Sequence, residues 1–212
     1  MITSEWNTLP GETPIDDISD LKRADVRTRK QLAMVEAENI LKATVKYLAA
    51  KPSRRSAPFT ITWFLKLHRE MFGDVWNWAG KTRKSNLNLG VDWHQVEPDL
   101  QSLATDLKFW EKQWPDVLEQ ATYLHHRSVR IHPFVNGNGR WARMLANIWL
   151  RLHDSSVTRW PEEAIGAVSV IRSEYLSAIR SADDGNMTSL LNLHRRFTAK
   201  SALEGEGPQA AR

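Results

Sequence analysis

The sequence predicts an all-α protein that carries one small β-hairpin. Apolar residues recur at steps of three and four along most of the chain, which is the period of helices with one buried face. Apolar and polar residues alternate strictly in one short stretch, residues 87–91, which is the period of a half-exposed strand. Proline and glycine stand between these stretches and mark the loops.

Two helices are predicted before the alternating stretch. The first covers residues 28–50 and ends before Pro52, because proline disfavours helix in the residue that precedes it. The second covers residues 61–72 and stops at Gly73, a common residue at helix ends. The predicted hairpin follows over residues 84–92.

Five further helices are predicted after the hairpin. Their apolar stripes cover residues 98–110, 119–131, about 140–152, 161–175 and about 188–197. Pro98 and Pro161 each open one of them, because the fixed φ of proline suits a first helical turn. We therefore expect a lead-in over residues 1–27, one helical domain over residues 28–197, and a flexible tail over residues 198–212.

The composition excludes several classes of function. The 212 residues contain no cysteine, so disulfides, thiolate metal sites and cysteine nucleophiles are ruled out. No apolar run is long enough for a membrane helix, and the first residues do not resemble a secretory signal, so we expect a cytoplasmic protein. The net charge of +4 comes from interspersed acidic and basic residues, so we do not expect nucleic-acid binding, which needs a clustered basic face.

The central loop carries the residues with recognisable chemistry. Residues 132–143 read His-Pro-Phe-Val-Asn-Gly-Asn-Gly-Arg-Trp-Ala-Arg and lie between two predicted helices. Glycines let consecutive backbone N–H groups converge on an anion, and the positive end of the following helix dipole points to the same place. Arg140 and Arg143, three residues apart, project from one face of that helix. These features suit a di- or triphosphate, although a plain helix–helix turn with two solvated arginines has the same sequence pattern.

The position of His132 favours the interpretation of this loop as a phosphate site. It ends the preceding helix a few residues before the glycines, where an imidazole can take a proton from an incoming hydroxyl at neutral pH. The other six histidines are expected to be structural, and Phe134 is expected to turn inward and anchor the loop. Since no residue here suggests an enzyme nucleophile, direct transfer of a phosphate-containing group to a hydroxyl is the simplest chemistry.

Residues 132–143 also match the Fic motif, H-P-F-x-[DE]-G-N-G-R-x-x-R, at every fixed position except 136. The chain thus resembles the Fic family, and the segments 67–83 and 174–183 extend the resemblance to about residues 30–197. The Asn-Gly-Asn-Gly form of the motif and the Glu36–Ile40 stretch are most similar to the mobile mystery protein B subgroup.

The resemblance implies a fold, an activity and a division of roles. The fold is a Fic helical bundle with the hairpin as a flap over the active site. The activity is transfer of AMP from ATP to a Ser, Thr or Tyr hydroxyl of a target protein, which the flap aligns by strand addition. The implied roles are His132 as general base, an anion hole of Gly137, Asn138 (also through its side chain) and Gly139, and distal-phosphate binding by Arg140 and Arg143.

Position 136 departs from the motif, because Asn136 stands where the family has the Asp or Glu that binds Mg²⁺. Mg²⁺ prefers anionic oxygen, and an amide oxygen coordinates it without a charge. The resemblance still implies ATP and Mg²⁺ as substrate and cofactor, with Asn136 as the metal ligand.

The family also contains an inhibitory helix with the pattern [ST]-x-x-x-E-[GN], whose glutamate pairs with the last motif arginine. Glu38 and Asn39 fit the end of that pattern within the helix over residues 28–50, whereas Met34 stands at the Ser/Thr position. Glu38 is therefore a candidate inhibitory residue, and an ordinary surface glutamate is the alternative.

Two other functions remain open. Relatives transfer UMP, phosphocholine or a bare phosphate, depending on how the nucleotide lies, and residues outside the motif set that orientation. The alternative from a different class is an inactive Fic scaffold that binds nucleotide or a partner protein. Asn136 supports this alternative, whereas the presence of His132 argues against it. An antitoxin-like regulator is a further partner that the resemblance suggests.

Overall fold

The computed structural model describes the backbone of residues 18–203 and the side chains of residues 18–198. Residues 1–17 of the expected lead-in and residues 204–212 of the expected tail lie outside the described residues. None of the helices in the described part is both long and apolar enough to cross a membrane.

The described residues form the predicted helical bundle. Its helices are α1 (Arg29–Leu48), α2 (Ile61–Phe72), α3 (Val96–Gln113), α4 (Val117–Ile131), α5 (Asn138–Leu152), α6 (Glu162–Ile165), α7 (Val170–Asp183) and α8 (Thr188–Leu203). A 3₁₀ turn, Trp93–Gln95, runs directly into α3, and an isolated antiparallel bridge joins Leu21 to Trp76. The prediction of an all-α fold is confirmed.

The local sequence explains where several helices begin. Thr28 caps α1 in a capping box with Gln31, and Asp116 caps α4 by accepting the N–H groups of Leu118 and Glu119. These caps satisfy backbone donors that the first turn of a helix leaves unpaired.

The single helix predicted over residues 161–175 is wrong, because the structure contains two helices there. α6 ends at Ile165 with Gly166 as its C-cap, and α7 begins after Ser169, whose hydroxyl accepts the N–H of Arg172 at 3.0 Å. Val168, an apolar residue of the predicted stripe, is 80% exposed and does not reach the core.

The predicted hairpin is also wrong, since residues 84–92 form no strand in the structure. The segment is a loop closed by a side chain: the Arg83 guanidinium donates to the carbonyl of Ser85 at 2.9 Å and to that of Val91. Asn86 Oδ1 also accepts the N–H of Trp93 at 2.8 Å. These bonds hold the two ends together without the paired backbone ladder that defines a hairpin.

Two apolar clusters support the site. The larger is rich in aromatic side chains and includes the fully buried Trp76, Trp141, Trp149, Phe64 and Phe134. The smaller joins α6, α7 and α8 around Trp160, Tyr175 and Leu190. The loop between α4 and α5 is anchored in the larger cluster by Ile131, Phe134 and Trp141.

Candidate active site

His132 lies at the end of α4 in a conformation that aims it away from the helix. It is the C-cap residue with a left-handed backbone (φ 52°, ψ 58°), which is uncommon for a residue other than glycine. Only 8% of His132 is exposed. Gly90 of the 84–92 loop packs on it so closely that a Cβ at position 90 would stand 2.4 Å from the His132 Cβ.

The His132 imidazole is held as a neutral base. Its Nδ1–H donates to the carbonyl of Val129 at 3.3 Å, which leaves Nε2 as the nitrogen with the basic lone pair. Burial lowers the pKa of His132 to about 4, so the ring is unprotonated at neutral pH.

Arg83 braces the backbone around His132. Its Nε donates to the His132 carbonyl at 2.7 Å, and its own N–H donates to the carbonyl of Pro133 at 2.9 Å. Together with the bonds to the 84–92 loop, this buried guanidinium ties that loop to the turn after α4. The same side chain therefore fixes both the base and the loop that covers it.

The turn from Phe134 to Asn138 is closed from inside. The Asn138 side chain is buried, and it accepts the N–H of Phe134 at 2.9 Å and donates to its carbonyl at 2.8 Å. Phe134 is fully buried and stacks on His68, with ring centres 3.5 Å apart. His68 accepts the Gly80 N–H at Nδ1, so its Nε2–H donates to the Asn136 carbonyl at 3.1 Å.

The two motif glycines differ in what they do. Gly137 has φ +78°, and a Cβ there would stand 2.6 Å from the Phe72 ring, so the fold itself requires glycine. A Cβ on Gly139 would meet only the Arg143 Nη1, at 3.4 Å, so the fold tolerates a side chain. The glycine at 139 keeps the first turn of α5 open to a ligand.

That first turn can bind an anion. α5 begins at Asn138, and no side chain in the described part of the chain caps it. The N–H groups of Asn138, Gly139 and Arg140 have no partner within the helix, and the helix dipole adds positive charge at the same place. Both polar atoms of the Asn138 side chain are hydrogen-bonded to the Phe134 backbone. The geometry therefore favours the backbone N–H of Asn138, and not its side chain, as the group that binds phosphate.

The two arginines are each paired with a carboxylate. Arg140 Nη1 donates to Glu36 Oε2 of α1 at 2.7 Å, and its guanidinium lies 4.9 Å from the centre of the Phe72 ring. Arg143 is buried and donates from Nε and Nη2 to both oxygens of Glu162, the first residue of α6, at 2.8 and 2.5 Å. The Glu162 pair leaves Arg143 Nη1 facing Gly139 and the start of α5.

Glu36, and not Glu38, is the glutamate that α1 brings to the site. Glu36 is 6% exposed, and its Oε1 also accepts the indole N–H of Trp76 at 2.7 Å. The Glu38 side chain is exposed and lies on another face of the helix. Because successive helix residues are turned by about 100°, two residues of offset direct the side chains to nearly opposite faces.

These residues surround one cavity of about 840 Å³, which is within the size range of ligand pockets. The motif forms one wall with His132, Gly139 and both arginines, and α1 forms another. The remaining walls come from α6, α7 and the segment before α6, and include apolar side chains such as Trp160 and Ile165. The cavity therefore joins a cationic end to an apolar end.

The donor set for a divalent ion is sparse. The described residues contain no group of three or more histidine or acidic side chains placed to hold a metal. Asn136 is half-buried, and its Oδ1 accepts the N–H of Gly137 at 2.6 Å. The protein thus offers one amide oxygen at this position, which fits Mg²⁺ only where phosphate oxygens supply the other ligands.

Comparison with known proteins agrees with this geometry. Residues 58–150 match the model of the Fic/DOC family, and the match includes the 84–92 loop, the whole motif and most of α5. These residues, less than half of the chain, belong to the Fic/DOC family. α1, with Glu36, and α6, with Glu162, lie outside the matched residues of this Fic domain.

Named relatives and solved structures show the same likeness. The chain is 28% identical over 155 residues to "Protein adenylyltransferase fic-1" of Caenorhabditis briggsae, covering 70% of this chain and 28% of the relative. It superposes with a TM-score of 0.65 on Fic-1 (residues 134–508, E274G) of C. elegans, at 21% identity, over 80% of this chain and 51% of that one.

A third likeness is to the N-terminal Fic domain of a putative cell filamentation protein from Bartonella quintana, solved with bound ADP. The TM-score is 0.59 at 16% identity, over 82% of this chain and 87% of that one. These two structures establish the fold. The chain spans less than a third of the length of the curated relative.

Several functional contacts of the Fic domain were not predicted from the sequence. Arg83, Gly90 and Glu162 lie far along the chain from the residues they contact, and His68 was expected to be merely structural. Gly90 alone carried a signal, as a glycine inside the alternating stretch, where close backbone approach is common.

Proposed function

We propose that this Fic domain transfers AMP from ATP to a Ser, Thr or Tyr hydroxyl of a target protein. The observation that carries the proposal is that a neutral, buried His132 and the uncapped start of α5 with two arginines line one cavity. The names of the curated relatives and the ADP bound to the Bartonella quintana domain support the same reaction.

The residues suggest one order of events. The target hydroxyl oxygen attacks the α-phosphorus while His132 Nε2 takes the hydroxyl proton. The bond between the α-phosphorus and its bridging oxygen breaks, and pyrophosphate leaves with the bonding electron pair. The N–H groups of Asn138 and Gly139 and the two guanidinium groups stabilise the charge that develops on the phosphates. The products are the AMP ester, pyrophosphate and a proton.

The target hydroxyl enters beneath the 84–92 loop. This loop covers His132 through Gly90, while Asn88 and Leu89 at its tip are exposed. Its outer backbone groups would pair with an extended target segment, which places a side-chain hydroxyl beside His132. The resemblance also predicts an antitoxin-like regulator and membership of the mobile mystery protein B subgroup. The composition predicts a cytoplasmic location.

Labelled ATP distinguishes this reaction from its alternatives. ATP labelled at the α- or the γ-phosphate is incubated with the protein and a protein acceptor, and His132→Asn is the control because asparagine tolerates the left-handed backbone better than alanine. Label from the α-phosphate in the wild type alone supports AMP transfer. Label from the γ-phosphate would indicate phosphorylation, UTP as the better donor would indicate UMP transfer, and no label with intact nucleotide binding would indicate a scaffold.

We also propose that Asn136 Oδ1 would hold a Mg²⁺ ion together with oxygens of the triphosphate. The bound ion would neutralise part of the phosphate charge. Asn136→Asp supplies an anionic oxygen, so we expect a lower half-saturating Mg²⁺ concentration, by about tenfold, in transfer assays. A Mg²⁺ dependence that Asn136→Asp leaves unchanged would contradict the ligand role.

Finally, we propose that α1 restrains the site through Glu36 and not through Glu38. Glu36 occupies the Arg140 guanidinium that a distal phosphate would contact. Both oxygens of this buried carboxylate are engaged, one by Arg140 and one by Trp76, so the restraint is well ordered.

A further inference from the structure

A buried hydrogen-bond network leads from Arg143 into the smaller apolar cluster. The Arg143 guanidinium lies 5.5 Å from the centre of the Tyr175 ring, and the Tyr175 hydroxyl contacts His125 Nε2 at 3.0 Å. His125 Nδ1 contacts His194 Nε2 at 3.0 Å, and His194 Nδ1 contacts Thr158 Oγ1 at 3.0 Å. We name these five residues the His125 network. They join α5, α7, α4, α8 and the segment before α6.

The direction of every bond in the His125 network follows from its first member. Arginine is a cation with donors only, so the Tyr175 O–H points away from the neighbouring guanidinium and donates to His125 Nε2. His125 then carries its proton on Nδ1 and donates to His194 Nε2. By the same reasoning, His194 carries its proton on Nδ1 and donates to Thr158 Oγ1. One set of tautomers satisfies all of these contacts.

Burial supports this single arrangement. His125 and His194 are fully buried, and burial lowers the pKa of His194 to about 3 and that of His125 well below its ordinary value. Burial also raises the pKa of Tyr175, so its hydroxyl keeps its proton. Every group beyond Arg143 is neutral at pH 7, and reversing one bond would leave buried polar atoms unpaired, which is costly.

We infer that Tyr175, His125 and His194 are positioning residues that aim Arg143 at the distal phosphates of the nucleotide. Glu162 holds Nε and Nη2 of Arg143 from one side, but its side chain is 51% exposed and so gives little rigidity alone. The His125 network holds the guanidinium from the buried side. Arg143 Nη1 is thereby kept beside Gly139, at the anion-binding end of α5.

The network also extends to the last described helix. Thr158 Oγ1 lies 3.2 Å from Thr198 Oγ1 of α8, and His194 belongs to the same helix. His125 and His194 are not among the described residues that line the cavity, so their effect on a bound nucleotide must pass through Tyr175 and Arg143. α8 therefore takes part in phosphate binding without touching phosphate.

The inference rests on the proposed function, and nucleotide affinities test it without requiring transfer. Dissociation constants for ATP and AMP are measured by calorimetry, since only ATP carries the distal phosphates that Arg143 would contact. Tyr175→Phe and His125→Phe should each lower the ATP-over-AMP preference by about fivefold, as expected for one lost hydrogen bond. His126→Gln is the matched control, because His126 lies next in α4 and bonds Asp183 at 2.8 Å outside the network.

A general loss of stability would weaken the binding of ATP and AMP alike, and it would leave the ATP-over-AMP preference unchanged. An unchanged preference in Tyr175→Phe and His125→Phe, with a lowered one in Arg143→Ala, would overturn the positioning role alone. An unchanged preference in Arg143→Ala would overturn the phosphate role of Arg143 itself and the positioning role with it.

Nitrogen-15 spectra of the unmutated protein provide an independent check. They should show His125 and His194 as neutral rings protonated at Nδ1. A proton at Nε2 of either ring would overturn the network, whatever the affinities show.

Discussion

At the scale of single residues, the two motif glycines have different roles within one loop, since the fold requires one and the ligand site requires the other. Gly137 is fixed by its left-handed backbone and by the Phe72 ring, whereas Gly139 faces open space at the start of α5. The sequence predicted both as parts of one anion site. It could not separate them, because the difference lies in what packs against each residue.

This difference gives a paired prediction. Gly139→Ala should retain the free energy of unfolding, or raise it slightly, because alanine is the better helix former by about 1 kcal/mol. Its Cβ would fill the space where phosphate approaches the N–H groups, so ADP affinity should fall by about tenfold or more.

Gly137→Ala should instead unfold at a lower urea concentration, because its Cβ would clash with the Phe72 ring. Urea titration and ADP calorimetry of both variants make the comparison. Equal loss of stability in the two, or full ADP affinity in Gly139→Ala, would contradict these assignments.

At the scale of elements, α1 brings Glu36 into contact with Arg140, two residues before the Glu38 that the family pattern indicates. The pattern placed the inhibitory residue at Glu38, and the structure places that side chain in solvent. The actual contact, Glu36 with Arg140, spans 104 residues along the chain. The local pattern does not show which face of α1 meets the site, because that depends on how the helix packs.

Removing the Glu36 charge should release Arg140. Glu36→Gln keeps the size of the side chain and an acceptor for Trp76, and we expect ATP affinity and self-modification to rise by about threefold to tenfold. Glu38→Gln removes the same charge from the exposed face of the same helix and should change neither. A gain in Glu38→Gln without one in Glu36→Gln would restore the original assignment.

The other elements show the same limit of prediction. Helices with a continuous apolar face, such as α2 and α5, were predicted because their pattern is local. The 84–92 loop was mistaken for a hairpin because alternation alone cannot reveal that Arg83 closes it. The break between α6 and α7 was missed because the apolar pattern continues through Val168, which is exposed.

At the scale of the whole molecule, the fold depends on histidines that are buried without charge. Burial lowers the pKa of His68 and His194 to about 3 and that of His132 to about 4, and His125 is shifted in the same direction. In the unfolded chain these rings take up protons near pH 6.5. The unfolded state therefore binds more protons than the folded state between pH 6.5 and about 4.

Stability should consequently fall as the pH is lowered through this window. Each such histidine contributes a loss of about 1.4 kcal/mol per pH unit below its unfolded pKa. Urea unfolding at pH 7, 6 and 5 measures the slope, and His194→Gln should reduce it because one titrating ring is removed. A free energy of unfolding that stays constant from pH 7 to pH 5 would contradict the assignment of neutral buried rings.

The central claim is that His132 and the start of α5 form one catalytic site for AMP transfer. The most direct measurement follows label from the α-phosphate of ATP onto a protein hydroxyl, in the wild type and in His132→Asn, with ADP affinity determined for both. We predict that label appears only with His132 while ADP binds both proteins alike. Equal labelling by the two proteins, or label that comes only from the γ-phosphate, would contradict the claim.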